Sequence, residues 1–342
     1  MPFNFYYPVS ASLPTASLPE KILQFCRQGG IMFKKVLLAS DLSPASEQLT
    51  HCSCGFLALG IEEIVLTYCL DTGNQDILQE TFQLKIPALE QQAETLAKQG
   101  FAVSKEIRLG IPAIEIIRTA EEKRCNLIVI GSHGHNLSDK ISLGGVVSAV
   151  LYNLTIPALV VRMPNLAGYR AQFANPLEHV LFPTDFSENA DSAFILLEQL
   201  VQLGAKKVTI LHIQDHIIGK HLKDRLEIFN RVDAEKLKYL SKRLLACGKT
   251  EIRTEIRYGG VAELILEQIT TNSISMVVIG AQGKGRIEKT FIGGVTNKVL
   301  RNSPVPVLVV PFVSSLSWSS DAQESWATDE LKLKNKVQNE PA

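Results

Sequence analysis

The sequence predicts an α/β protein made of two tandem, open-twisted, five-stranded parallel sheets with helices on both faces. Three observations carry that prediction. The chain repeats itself: KKVLLASDLSPASE (34–47) aligns with EHVLFPTDFSENAD (178–191), pairing Asp41 with Asp185. LIVIGSHGHNLSDKISLGGVVSAVLYNLTIPALVVR (127–162) aligns with MVVIGAQGKGRIEKTFIGGVTNKVLRNSPVPVLVVP (276–311), pairing Gly131 with Gly280. Within each copy, short apolar runs alternate with segments of helical periodicity, as βαβ units with a parallel sheet require. The apolar runs are near-continuous, as strands covered on both faces should be.

Taken in order, VLLAS and VLFPT read as the first strand of each copy, followed by Ser43 and Ser187 as helix caps. Ala45, Leu49, Cys52 and Phe56 then fall at helical spacing, as do Ala190, Phe194, Leu197 and Val201. EIVLTYCL and KVTILHIQD give a second strand, followed by a long, mostly helical stretch. VSKEIRLG and IRTEIRYG give a third, IPAIEIIRTAEEK and VAELILEQITTN a helix, and NLIVIG and MVVIG a fourth strand. A glycine loop, a last helix and ALVVR or VLVVP complete β-α-β-α-β-α-β-α-β. The expected organisation is an extension (1–32), a first domain (33–163), a linker (164–177) rich in turn residues, a second domain (178–312) and a polar tail (313–342) expected to be disordered. The final strands are short, apolar edges, exposed to pairing unless covered.

Composition narrows the function. The chain has 342 residues, of which 46% are hydrophobic and 20% charged, and 35 Lys+Arg balance 35 Asp+Glu. That balance, with no basic stripe, argues against phosphate-neutralising nucleic-acid binding. No run approaches the length of a membrane-spanning helix. The start lacks the basic and apolar regions of a signal peptide. The six cysteines form no C-x-x-C pair and read as reduced thiols of a cytoplasmic protein.

The glycine loops carry the chemistry. In each copy a buried strand ends in Gly-x-x-Gly, and Gly-Gly opens the next helix: Gly131, Gly134, Gly144 and Gly145 in the first, Gly280, Gly283, Gly293 and Gly294 in the second. Ligands of open α/β sheets bind at the carboxyl ends of the strands. Unpaired helix N–H groups and the helix dipole there favour phosphate. Asp41 and Asp185 end the first strands at the same edge, where a carboxylate can accept from an adenine amine or a ribose hydroxyl; the position equally suits a turn aspartate. Neither has a His or Lys base at a spacing shared by both copies.

These motifs are similar to those of the universal stress protein family in tandem form, over about four-fifths of the chain. The resemblance rests on GSHGHNLSDKISLGG, GAQGKGRIEKTFIGG and the strand-one segments S-D-L-S and P-T-D-F-S. It implies a Rossmann-like fold of the adenine-nucleotide alpha-hydrolase type and an ATP site, with magnesium accompanying ATP. By the same resemblance Asp41 or Asp185 lies near base and ribose, Cys69 and Ile213 contact adenine through backbone, and the glycine loops hold phosphates. In the family the final-strand edges associate two domains, a contact that this tandem chain is expected to make within itself. The hydroxyl residue the family carries after its third glycine is Gly145 here in one copy and Gly294 in the other. The second copy retains Thr296 against Val147, and Pro183-Thr184-Asp185 against Ala39-Ser40-Asp41. The expected nucleotide site is therefore Pro183, Thr184, Asp185, Ile213, Gly280, Gly283, Gly293, Gly294, Val295 and Thr296. A weaker one comprises Asp41, Cys69, Gly131, Gly134, Gly144, Gly145 and Val146.

The function expected is adenine-nucleotide binding with a stress-response or regulatory role and little or no catalysis. Two alternatives stand beside it: a nucleotide-free interaction module of the same fold, and a weak ATPase. Self-association of the chain is left open. G-x-G-x-x-G after the first strand and G-x-x-x-x-G-K-[S/T] are both absent, which argues against a dinucleotide dehydrogenase and a P-loop NTPase. His133 and His135 have no counterpart in the second copy, which carries Gln282 and Lys284. His212 and His216 have the spacing of a helical metal pair, but His212 belongs to a strand run. Lys284, Arg286 and Lys289 read as a solvated loop face. No metal site is expected from the sequence itself.

Overall fold

The computed structural model describes residues 5–6, 33–70, 78–132, 143–162, 175–214, 226–283 and 292–311. The first repeat is β2 (Lys35–Ser40), α1 (Pro44–His51), α2 (Cys54–Ala58), β3 (Glu63–Leu70), α3 (Leu78–Lys98), β4 (Ala102–Leu109), α4 (Pro112–Glu122), β5 (Leu127–Gly131), α5 (Gly145–Tyr152) and β6 (Ala158–Val161). The second is β7 (Val180–Thr184), α6 (Glu188–Gln202), β8 (Lys207–Gln214), α7 (Leu226–Cys247), β9 (Glu251–Tyr258), α8 (Val261–Thr271), β10 (Met276–Gly280), α9 (Gly294–Asn302) and β11 (Val307–Val310). Within each repeat the five strands are parallel.

The two sheets are continuous. β11 and β6 pair antiparallel, matching Val307 with Val160, Leu308 with Leu159 and Val309 with Ala158. The expected edge-to-edge pairing thus joins the repeats into one sheet of 11 strands, ordered β1-β9-β8-β7-β10-β11-β6-β5-β2-β3-β4. Strand β1 (Phe5–Tyr6) comes from the extension and pairs antiparallel with Glu255 and Ile256 on the outer side of β9. The period-2 alternation sorts the apolar side chains into two layers, one on each face, and each layer runs through both repeats. Leu159, Leu308 and Val310 join the first layer; Ala158, Val160, Val307 and Val309 join the second.

One helix expected as continuous is broken. The segment after β2 divides into α1 and α2 around Cys52–Ser53, because the Ser53 hydroxyl (2.7 Å) and the Gln99 side-chain amide (2.8 Å) both donate to the Thr50 carbonyl. Phe56 still reaches the core.

His179 closes the base of β7. Its Nδ1 lies 2.9 Å from the Asn272 carbonyl oxygen and its Nε2 2.8 Å from the Thr209 hydroxyl. Burial, with Lys207 nearby, holds the imidazole below its ordinary value. The folded chain therefore keeps this ring neutral while the unfolded chain takes up a proton below about pH 6.5. Stability is full above that pH and falls as pH drops toward the folded-state value, by up to about 1.4 kcal/mol per pH unit from this residue. Urea midpoints between pH 8 and pH 5 are expected to fall less steeply for His179→Gln than for the wild type; parallel curves would remove this assignment.

Candidate functional site

The second repeat carries a cavity of about 350 Å³ at the carboxyl ends of β7, β8 and β10. β7 is a point of strand-order reversal, with β8 on one side and β10 on the other, which is where open α/β sheets leave a crevice. Pairing of β7 with β10 ends at Leu181 with Val277, whereas the equivalent β2–β5 ladder continues to Ala39 with Ile130. Pro183 stands where the first repeat has Ala39, and it has no N–H to give a ladder. The strands part early and the crevice opens.

The segment after β7 turns through Phe186, a non-glycine residue at φ 57°. That bend lets Asp185 Oδ1 accept from the Ser187 N–H (3.1 Å) and Thr184 Oγ1 accept from the Phe186 N–H (3.0 Å). Ser187 in turn caps α6 by accepting from the Ala190 N–H (3.3 Å). The first repeat reproduces the bend at Leu42, φ 58°. Behind the turn, His212 Nδ1 lies 2.8 Å from the Thr184 carbonyl oxygen and Nε2 3.2 Å from Asp233 Oδ2, with the Phe186 ring tilted against it at a centroid distance of 4.5 Å. Burial works against the Asp233 carboxylate, but hydrogen bonding and charge from His212, with Gln214 and Lys236, hold it below its ordinary value. His212 is thus a strand residue that buttresses the turn; His216 lies outside the described residues.

The four glycines of the second loop have different reasons to be glycine. A Cβ at Gly280 would come within 2.9 Å of the Asn189 carbonyl oxygen, so the close approach of β10 to α6 requires it. A Cβ at Gly283 would come within 2.7 Å of Asp185 Oδ2, so the loop lies directly on that carboxylate. At Gly293 a Cβ would make only ordinary contacts, and at Gly294 it would meet nothing within 4 Å. No atom of the described residues demands glycine there. What their bareness does is expose the backbone at the start of α9, whose cap, Gly293, makes no side-chain hydrogen bond.

All ten residues expected for the second site line this one cavity: Pro183, Thr184, Asp185, Ile213, Gly280, Gly283, Gly293, Gly294, Val295 and Thr296. Sequence reasoning missed Ala190, Leu211, Val261, Ile265, Ile279 and Gln282. Val261 and Ile265 are one helical turn apart on α8, a spacing that also describes any core-facing helix, so nothing marked them as wall rather than core. Thr296 also has a role within the fold. Its buried hydroxyl donates to the Gly280 carbonyl oxygen (2.9 Å) and clasps α9 to the end of β10. Asp185 is the one ionisable side chain among the described lining residues. The arrangement is an apolar wall, a single carboxylate and a bare helix N-terminus.

The first repeat places Asp41, Cys69, Gly131, Gly144, Gly145 and Val146 at equivalent positions; Gly134, like His133 and His135, lies outside the described residues, as do Lys284, Arg286 and Lys289. Asp41 Oδ1 accepts from the Ser43 N–H (3.0 Å) and also from the Ser46 hydroxyl. Burial, with Glu115 adding to it, pushes the Cys69 thiol up to about 11, so it is neutral. Among the described residues no group of three or more His, Cys, Asp or Glu could hold a metal ion. No helix among them is long and apolar enough to cross a membrane.

Fold and site together define a class: a tandem α/β protein whose strand-end crevice is walled by apolar side chains, a carboxylate and glycine backbone. The profile of the Universal stress protein family matches residues 32–162 and again 176–311, and the chain belongs to that family as a two-domain member. A universal stress protein of Methanocaldococcus jannaschii is 28% identical over 159 residues, 40% of this chain and 98% of the relative. A second from the same organism is 26% identical over 148 residues, 40% of this chain and 87% of the relative. The crystal structure of a universal stress protein from Archaeoglobus fulgidus superposes with a TM-score of 0.64 at 23% identity, covering 82% of this chain and 99% of that one.

Proposed function

We propose that the protein holds one adenine nucleotide, ATP, in the cavity of the second repeat and serves a stress-response or regulatory role rather than turning substrate over. The observation that carries this reading is the convergence of the ten expected residues on one crevice of about 350 Å³, large enough for a nucleotide-sized ligand. Ile213, Leu211, Val261 and Ile265 offer an apolar wall to the base. Asp185 accepts from ribose hydroxyls. The N–H groups at the start of α9, left without a side-chain cap, and the bare backbone at Gly293 and Gly294 suit phosphate.

Holding follows from what the lining offers. General acid–base catalysis needs a positioned group of suitable pKa. Among the described residues the lining supplies only Asp185, which already accepts from the Ser187 N–H. Magnesium, as the partner of ATP phosphates, enters with the ligand in this reading, since one carboxylate does not make a protein-built site.

The test is to denature freshly purified full-length protein, identify released nucleotide by chromatography and count it per chain. About one adenine nucleotide per chain is expected, with no product accumulating over hours when ATP is added. No nucleotide, and none taken up at millimolar ATP, would replace this reading with a nucleotide-free interaction module. Steady release of ADP would make it a weak ATPase.

A further inference from the structure

His212 touches both chain neighbours of Asp185. Its Nδ1 faces the Thr184 carbonyl oxygen at 2.8 Å, and its ring lies against Phe186 at a centroid distance of 4.5 Å. On the far side of the ring, Nε2 faces Asp233 Oδ2 of α7 at 3.2 Å, an oxygen that also accepts from Gln214 Nε2 (2.7 Å). A carbonyl oxygen can only accept, so Nδ1 carries a hydrogen. Burial opposes the Asp233 charge, but the bond and charge of His212, with Gln214 and Lys236, hold that carboxyl below its ordinary value. It is therefore a carboxylate, which also can only accept. An imidazole has hydrogen on both nitrogens only as the cation. The two side chains are 11% and 14% exposed, so water does little to replace a missing hydrogen.

The first repeat shows that the bend itself does not need this ring. Thr184 is level with His212 in the β7–β8 ladder, and Ser40 is level with Tyr68 in the β2–β3 ladder. Leu42 nevertheless takes the conformation of Phe186, φ 58° against 57°, and its N–H donates to Ser40 Oγ (3.1 Å) as that of Phe186 does to Thr184. Tyrosine has no ring N–H to give, and Ser40 turns its hydroxyl to Gln92 Oε1 (2.7 Å). The imidazole is thus an addition to the bend, made in the second repeat.

We propose that His212 is a positioning residue of the second crevice: as an imidazolium paired with Asp233 it fixes the Thr184–Phe186 turn around Asp185, and ATP binding weakens when the ring gives up one hydrogen. The proposal rests on the reading of that cavity as an adenine-nucleotide site and adds a proton as its regulator. Once either hydrogen is lost, a nitrogen lone pair faces the Thr184 carbonyl or the Asp233 carboxylate, and one of the two ties goes. The ionisable groups on the elements around the ring are Asp233 and Lys236 of α7, Asp185 at the end of β7, and Tyr258 of β9. Lys236 Nζ lies 5.0 Å from the Phe186 ring centre, and Tyr258 is two residues beyond Ile256, which is level with the ring. α8 packs on the opposite face of β8, where Ile265 shares a layer with Leu211 and Ile213.

Calorimetric titration of ATP into the full chain, stripped of nucleotide, at about pH 6 and about pH 9 decides it. Wild-type affinity is expected to fall across that range at least threefold more than the affinity of His212→Tyr, which installs the first repeat's residue, with melting temperatures confirming that both are folded. The ionisation of ATP itself is common to the two proteins, so the ratio isolates the ring. No uptake of ATP by the wild type at either pH overturns the underlying reading and this proposal with it. Uptake with equal pH dependence in the two proteins overturns the proposal and leaves the nucleotide reading standing. Should His212→Tyr fail to fold, Asp233→Asn decides in its place: it removes the counter-charge at nearly constant shape and is expected to flatten the profile, and an unchanged profile overturns the proposal. Nitrogen-15 spectra at about pH 6 give a second readout. The imidazole signal lost in His212→Tyr is expected to show hydrogen on both nitrogens, and a ring with one hydrogen overturns the proposal.

Discussion

Gly283→Ala is expected to cost at least tenfold in affinity for ATP while the melting temperature moves by no more than a few degrees. The added Cβ would stand 2.7 Å from Asp185 Oδ2, far inside contact distance, and the atom it meets belongs to a short side chain on a turn already held at both ends. The carboxylate has to swing away, taking with it the acceptor offered to the ribose. Tenfold corresponds to about 1.4 kcal/mol, the scale of a single hydrogen bond to a charged group. Gly280→Ala is the contrasting variant. There the neighbour is the Asn189 backbone carbonyl at 2.9 Å, which cannot rotate aside, so loss of stability is expected before loss of ligand. Titration calorimetry and thermal melts on both variants separate the cases. Equal thermal loss in the two would mean that Gly283 is structural and that its approach to Asp185 has no bearing on binding.

That contrast also indicates what a sequence can convey about such a site. Spacing located all four glycines, since a strand end and a helix start fix where they fall. It did not separate Gly280, demanded by packing, from Gly294, demanded by nothing among the described residues, because the distinction depends on which atoms approach from α6. The ten-strand alternation was legible for a similar reason: parallel strands covered on both faces become apolar runs, and the repeat supplied each segment with a second reading. The break at Cys52–Ser53 was not legible, since Gln99, 49 residues beyond Thr50, takes part in it. Nor was the direction of the Thr296 hydroxyl, or the bond from Ser46 to Asp41. Each is decided by side-chain orientation within contacts that the linear pattern leaves open. Apolar cavity walls were invisible for a simpler cause: Leu211, Val261 and Ile265 look in sequence like the core residues beside them.

Beneath the second site, Glu198 on α6 and Arg243 on α7 form a buried pair, with Arg243 Nε to Glu198 Oε1 and Nη2 to Oε2 both 2.9 Å and side-chain exposures of 3% and 4%. Arg243 also lies over the Phe194 ring at 4.8 Å, which puts its charge inside the apolar layer. Burial drives the Glu198 carboxyl above its ordinary value even though the Arg243 charge and hydrogen bonds pull it back. A buried ion pair gives up its hydration on folding, so it is a weak source of net stability. Removing one member is a different matter, because it leaves the other charge buried without its counter-ion. Glu198→Ala is expected to lower unfolding free energy by about 3–5 kcal/mol, and the double variant Glu198→Leu with Arg243→Met to recover most of that loss. Urea unfolding of the two single variants and the double closes the cycle. If the losses simply add, the charges are not coupled, and the α6–α7 contact is held by its apolar neighbours alone. If the double variant approaches wild type, the two charges are coupled to each other and apolar packing holds α6 on α7 equally well.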